Sequence, residues 1–209
     1  MPTRQPEASA RARTMTMPLD EQMSAPDEAL LVLYANGDAV AARVLTARLA
    51  PRVLAQAQRL LGNRAEAEDV AQEAMLRLWR IAPEWRQGEA KVTTWLYRVT
   101  ANLCTDRFRK ARGVGLDEAP EPEDERPGPA EGLQERARAE ALQGALDRLP
   151  DRQREAVILR HIEELGNPEI AEIMEISVEA VESLVARGKR ALAAELSARR
   201  DDLGYTDDG

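Results

Sequence analysis

Apolar side chains in this chain recur at three- and four-residue spacing, and that period belongs to helices. Val92, Leu96, Val99 and Leu103 fall on one face at about 100° per residue, as do Val70, Ala74, Met75 and Leu78. The background is rich in Ala, Leu, Arg and Glu, which favour helix, while runs alternating with a period of two are scarce. The expected fold class is all-α. Aromatic residues make up only 3% of the 209, so Leu, Val, Ile and Ala must do the packing, enough for two small cores.

A proline- and acid-rich break separates those cores. From Arg86 to Arg112 there are seven cations against two anions, whereas from Gly113 to Glu140 there are nine acids against three arginines. Four prolines fall between Gly113 and Leu133, with no apolar period. The reading is a disordered arm over 1–25, a helical domain over 26–112, a flexible acidic linker over 113–136, a second helical domain over 137–198 and a frayed acidic tail over 199–209. Such segregation of charge assigns different partners to different segments, even though the whole chain carries a net charge of -8.

Composition also removes whole classes of function. One cysteine, Cys104, and one histidine, His161, make neither a disulfide nor a Cys/His metal site. No nucleophile pattern or phosphate-cradling glycine loop points to an enzyme, a cofactor or a small-molecule substrate. No apolar run approaches the roughly 18 residues of a membrane helix, so a soluble, cytoplasmic protein with no membrane partner is expected.

Local signals set the helix boundaries. Asn36-Gly37-Asp38 breaks a short helix from a longer one that Pro51 is expected to kink and Gly62-Asn63 to end. Asn63 is a cap for the next helix, with Glu66 at its third position. Pro83 and Gly88 mark a loop before the helix that starts at Val92. Tyr97, Cys104 and Phe108 form a second apolar flank on that helix. Between the flanks runs one polar stripe, Arg98, Asn102, Thr105, Arg109 and Arg112. The second domain divides into four helices, broken near Leu149-Pro150, Gly166-Asn167-Pro168 and Glu175-Ile176-Ser177, with Asn167 and Ser177 as caps.

The stretch "PEIAEIMEISVEAVESLVAR" has the pattern of a helix-turn-helix: Ala171 is small where two helices cross, and Ile170, Met174, Ile176, Val181 and Leu184 fill the space between them. An ordinary helical hairpin has the same pattern. Three further stretches, "AEAEDVAQEAMLRLWR", "WRQGEAKVTTWLYRVTANLCTDRFRK" and "LPDRQREAVILRH", add specificity. Together and in this order, they resemble the extracytoplasmic-function group of bacterial sigma factors, from about Asp27 to Leu196.

The resemblance implies a dissociable subunit of RNA polymerase whose partners are core RNA polymerase, promoter DNA and an anti-sigma factor, with a stress response as its setting. Glu66, Glu68, Asp69, Gln72 and Glu73 match the family's core-polymerase surface; the other reading is a solvated face whose first-turn acids complement the helix dipole. Trp85, Arg86, Lys91, Arg98, Asn102, Thr105, Arg109, Lys110 and Arg112 match the -10 surface. There, cations hold phosphates and the loop from Trp85 to Thr94 takes an unstacked base. Trp79 and Trp95 are expected in the core, and Trp85 is the exposed aromatic candidate.

In the recognition helix the resemblance implies that Ser177, Glu179, Ala180, Glu182, Ser183 and Ala186 face the major groove, with Arg187, Lys189 and Arg190 toward phosphates. Two residues depart from the family pattern. Glu175 stands where glycine is usual, and Glu182 where a base is common. Glu179 or Glu182 either accepts a hydrogen bond from a cytosine or only complements the helix N-terminus. A sigma-like decoy that sequesters an anti-sigma factor without starting transcription is the alternative function. Cys104 is read as core and His161 as a surface or partly packed residue.

Overall fold

The computed structural model describes residues 19–86, 88, 90–113 and 130–197, and among them all regular structure is helical. The helices are α1 (Leu19–Ser24), α2 (Asp27–Ala35), α3 (Ala39–Leu61), α4 (Arg64–Ile81), α5 (Val92–Gly113), α6 (Ala130–Asp147), α7 (Asp151–His161), α8 (Asn167–Met174) and α9 (Val178–Ser197), with a short 3-10 turn, Ala82–Glu84, after α4.

The helix boundaries follow from chemistry read residue by residue. Asp38 Oδ1 accepts from the backbone N–H groups of Val40 (2.8 Å) and Ala41 (3.2 Å), which starts α3. α3 runs through Pro51 and stops at Gly62, whose φ of 66° closes the helix in the left-handed region. Asn63 then caps α4 by accepting from Glu66 N at 3.0 Å. Ala71, Ala74, Met75 and Leu78 of α4 and Val92 and Leu96 of α5 are buried together with Leu45 and Leu49 of α3. They make the first core.

Three boundaries differ from expectation. Residues 19–24, read as part of a disordered arm, form α1, because polar partners tie it down. Gln22 is fully buried and donates to Asp38 Oδ2 at 2.9 Å, while Arg48 donates to the carbonyls of Gln22, Met23 and Ala25 at the end of the helix. Residues 130–136, read as linker, are the first turns of α6; four prolines earlier in the segment drew the boundary too late. α8 is capped by Gly166 rather than Asn167, with the Glu169 carboxylate accepting from Gly166 N at 3.2 Å. The rest of the predicted arm, most of the linker and the tail lie outside the described residues.

The second domain packs α6–α9 around Leu146, Ile158, Leu159, Ile170 and Val181, all essentially buried. α9 crosses α7 so closely that a Cβ on Gly188 would meet Val157 Cγ2 at 2.6 Å, which is why a glycine sits inside this helix.

The two domains do not stand apart. Ala57, Leu60, Val70 and Cys104 of the first share one buried cluster with Leu146, Leu149, Ile158 and Leu192 of the second. Tyr97 of α5 is buried with Leu159, Ile170 and Met174. The second flank of α5, foreseen as apolar, is the face that the second domain covers.

Candidate functional site

α5 presents its polar stripe because its other faces are covered. Val92, Leu96, Tyr97 and Cys104 are buried, Val99 and Leu103 are half-buried, and Asn102, Asp106, Arg109 and Lys110 are exposed. Arg98 and Thr105 are half-buried along the same line, and the Arg112 side chain lies outside the described residues. Asp106, counted in the sequence only as a stray anion, belongs to this exposed face and approaches Arg109 at 3.7 Å. Arg107 turns to Asp69 of α4 at 3.5 Å. Exposed pairs of this kind contribute little to stability, so a phosphate can displace the carboxylate.

The loop before α5 departs from expectation at Trp85. This ring is half-buried, packs edge-to-face on Trp95 at 6.2 Å between centroids, and joins the first core. It is not the exposed aromatic expected. Its small neighbour Ala82 and the 3-10 turn draw the chain back onto the core at this point. The Trp85 Nε1 is buried without a hydrogen-bond partner, whereas a buried indole N–H ordinarily finds one. Trp79 stacks obliquely on Tyr34 at 4.6 Å and Trp95 is half-buried, both in the core as expected. Arg86 is exposed. Lys91 is exposed and donates to Glu169 of α8 at 2.7 Å, and that hydrogen bond raises the ammonium above its ordinary pKa.

On α4, Glu66, Glu68, Asp69 and Gln72 are exposed and Glu73 half-buried. Glu68 pairs with Arg64 at 3.0 Å and Glu73 with Arg77 at 2.8 Å; the Arg77 hydrogen bond holds the Glu73 carboxyl below 4.5. The face is acidic but laced with arginine.

On α9, Val181, Gly188 and Leu192 face inward, which leaves Glu179, Glu182, Ser183, Ala186, Arg187, Lys189 and Arg190 exposed and Ala180 half-buried. Ser177 is exposed, and its Oγ accepts from Ala180 N at 3.2 Å, the cap that was expected. Glu179 turns to its own backbone N–H and the Ser177 hydroxyl, and both lower its pKa. That engagement favours the helix-terminus reading for Glu179 and leaves Glu182 as the acid free of that duty.

Glu175 has φ 54° and ψ 48°, the left-handed geometry foreseen for a glycine position. Replacing it, Glu175→Gly should stabilise the chain by about 0.5–1 kcal/mol, the strain relieved less the entropy that glycine adds to the unfolded state. A melting temperature a few degrees higher is the expected reading, and no rise would show that the turn carries no strain.

The lone cysteine is buried, and burial followed by the Glu155 charge pushes its thiol up to about 12, so it is an unreactive core residue. His161 is exposed and held below 6.5, chiefly by partial desolvation and then by Lys189 and Arg160.

Sequence reasoning missed Glu163, Glu169 and Arg154, which bind the two domains to each other. Arg154 stands in a polar stretch, Arg152-Gln153-Arg154-Glu155, ahead of the apolar run from Ala156 to Leu159, and nothing local marks it as buried. The two glutamates resemble ordinary surface acids.

Comparison with known proteins agrees with this geometry. Residues 45–114 match the family model described as Sigma-70 region 2, and residues 139–192 that described as Sigma-70, region 4. The chain is 35% identical over 147 residues to the ECF RNA polymerase sigma factor SigE of Mycolicibacterium smegmatis, covering 68% of this chain but 56% of that relative. It is 34% identical over 149 residues to the ECF RNA polymerase sigma factor SigW of Bacillus subtilis, covering 66% and 79%. The solved structure of CnrH in complex with the cytosolic domain of CnrY superposes with a TM-score of 0.60 at 28% identity, over 82% of this chain and 97% of that one. With both domains matched in order and the polar stripe and helix-turn-helix in place, the chain belongs to the extracytoplasmic-function group of sigma-70 family RNA polymerase sigma factors.

Proposed function

We propose that this chain is a cytoplasmic, dissociable sigma subunit that performs no bond chemistry itself and brings core RNA polymerase to promoters in a stress response. The exposed acids of α4 dock a basic surface of core polymerase, setting register and encounter rate more than affinity. On α5, Arg98, Asn102, Thr105, Arg109, Lys110 and Arg112 hold the backbone of the -10 element, and the loop carrying Trp85, Arg86 and Lys91 receives a base unstacked from it. α9 lies in the major groove of the -35 element, its phosphates met by Arg187, Lys189 and Arg190. CnrH is in complex with the cytosolic domain of CnrY in its solved structure, and an anti-sigma factor is the partner proposed for this chain.

The observation that carries this reading is the polar stripe on α5, a helix whose remaining faces are buried. Transcription by purified core polymerase with the full chain over a library of promoter fragments tests it. Transcripts starting downstream of a shared pair of elements are expected, with Asn102→Ala and Arg109→Ala lowering their yield about tenfold. A stable complex with core polymerase that starts no RNA on any template would instead identify a decoy.

A further inference from the structure

Charge is divided both along α9 and around it. At about 100° per residue, Val181, Gly188 and Leu192 make one narrow seam, and all three are buried. Opposite lies an exposed arc about 160° wide, with Lys189 at one edge and Arg187 at the other. Between these edges fall Glu179, Glu182, Ser183, Ala186 and Arg190, all exposed. The two acids of this arc sit in the first two turns of the helix, and its cations follow them. A helix so built straddles a major groove: the edge cations reach the phosphates on either side, and the early residues between them face the base edges.

The two acids are not equivalent. Glu179 accepts from its own backbone N–H and from the Ser177 hydroxyl, so its carboxylate belongs to the start of the helix. Glu182 joins no hydrogen bond or ion pair among the described residues. Its neighbours on the helix surface are the reason: Val178, Glu179, Val185 and Ala186 stand three and four residues away, and none is a cation. On α4, by contrast, Glu68 and Glu73 have such a partner in Arg64 and Arg77. Ala186, one turn further on, is too short to cover the Glu182 carboxylate.

We propose that Glu182 selects cytosine at one base pair of the -35 element by accepting a hydrogen bond from its 4-amino group. This deepens the proposed function and rests on α9 lying in the groove. An ionised carboxylate only accepts. In the major groove guanine shows it two acceptors, and thymine an acceptor and a methyl group, so both are refused. Adenine has a donor, but its N7 acceptor lies beside that donor and repels the second carboxylate oxygen. Cytosine sets a carbon-bound hydrogen beside its donor, and nothing on that base opposes the charge. The same charge repels phosphate wherever no cytosine meets it, so Glu182 weakens binding to other sequences as well as favouring one.

Selection of duplex fragments by core polymerase carrying the full chain tests this, with the upstream element randomised in sequence. The wild type should prefer cytosine about tenfold at one position. Glu182→Gln should move that preference to adenine, because a carboxamide both donates and accepts and so fits N6 and N7 together. Glu182→Ala should lose the preference and bind unrelated fragments more tightly. Glu182 is exposed, so both variants should fold. As a direct check, 2-pyrimidinone in place of the selected cytosine removes only the amino group; wild-type binding should fall about tenfold, and that of Glu182→Ala should not change.

Arg187→Ala and Lys189→Ala separate this claim from the one beneath it. With α9 in the groove, both should weaken binding across the whole library without altering base preference. No weakening from either would overturn the placement of α9, and the readout with it. Uniform weakening there, with the same base preferences in wild type, Glu182→Gln and Glu182→Ala, would overturn the readout by Glu182 alone and leave the proposed function standing.

Discussion

Replacing Arg154 with methionine is expected to lower the unfolding free energy by about 3 kcal/mol, a large share of what a domain of this size has. The guanidinium is almost wholly buried, yet among the described residues no carboxylate pairs with it. Its partners are backbone carbonyls: Nε donates to Leu146 at 2.8 Å, one terminal nitrogen to Leu60, and the other to Asp147 at 2.8 Å and Leu149 at 3.3 Å. Leu146 and Asp147 end α6 and Leu60 lies in the last turn of α3, so one cation closes the C-termini of two helices, one from each domain.

Helix C-termini leave carbonyls without partners and carry the negative end of the dipole, which makes a buried cation tolerable here without a counter-ion. The ring of Phe108, 5.5 Å from the guanidinium carbon, covers it further. Methionine fills much of the volume but removes these hydrogen bonds; the Leu146 carbonyl keeps the Leu149 N–H at 3.0 Å, and a carbonyl left unpaired costs about 1–3 kcal/mol, partly offset because no charge is then buried. With a urea m-value of about 2 kcal/mol/M, the midpoint should fall by about 1.5 M. Arg154→Lys should recover less than half, since an ammonium cannot reach both helix ends. Equal stability of all three proteins would show that Arg154 only packs.

The same device recurs. Arg48 closes α1 by donating to Gln22, Met23 and Ala25, and Arg152 donates to Met174 at the end of α8 at 3.2 Å. Arginines that cap helices are withdrawn from any role with nucleic acid. Counting cations along the sequence therefore overstates the field available to DNA. Between Arg86 and Arg112, the seven cations include Lys91, Arg107 and Arg109, each of which faces an acid in the fold.

What was legible in the sequence was what short-range chemistry decides. Asp38 with its Asn-Gly break, Asn63 with Glu66, and Ser177 set helix starts from within a few residues, and the apolar period assigned Val92, Leu96, Ile170 and Val181 to the interior. The left-handed geometry at Glu175 was legible only through the family resemblance, whose pattern has glycine at that turn. What escaped was decided by partners far along the chain. Tyr97, Cys104 and Phe108 were seen to form a second apolar flank, but a flank does not name its cover. Glu163 lies 66 residues from Tyr97 and Glu169 lies 78 from Lys91, and no local pattern ties them. Trp85 was misread although its partner is near in sequence, because no local pattern shows that its ring packs on Trp95.

Substituting glutamine for Glu155 should stabilise the protein at pH 8 by up to about 3 kcal/mol while leaving it nearly unchanged at pH 4. Glu155 is buried on α7, and burial pushes its carboxyl up to about 7 from the ordinary 4.5; Arg152 pulls it down and Asp151 pushes it up again. Below pH 4.5 the group is neutral whether the chain is folded or not, and it exacts nothing. Between 4.5 and 7 the unfolded chain ionises while the fold keeps its proton, so stability falls as pH rises. Above 7 both forms are ionised and the loss is complete, at about 1.4 kcal/mol for each pH unit between the two values.

Glutamine keeps the shape without the proton exchange, so the difference between variant and wild type should grow through this window and then level off. Glu73, Glu169 and Glu179, all held below 4.5, lose their contributions only in acid below the window. His161, held below 6.5, acts within it in the opposite sense but cancels between the two proteins. Chemical denaturation of both across pH 4 to 8 reads the effect directly. Parallel curves would mean that the Glu155 carboxyl is hydrated in the folded chain.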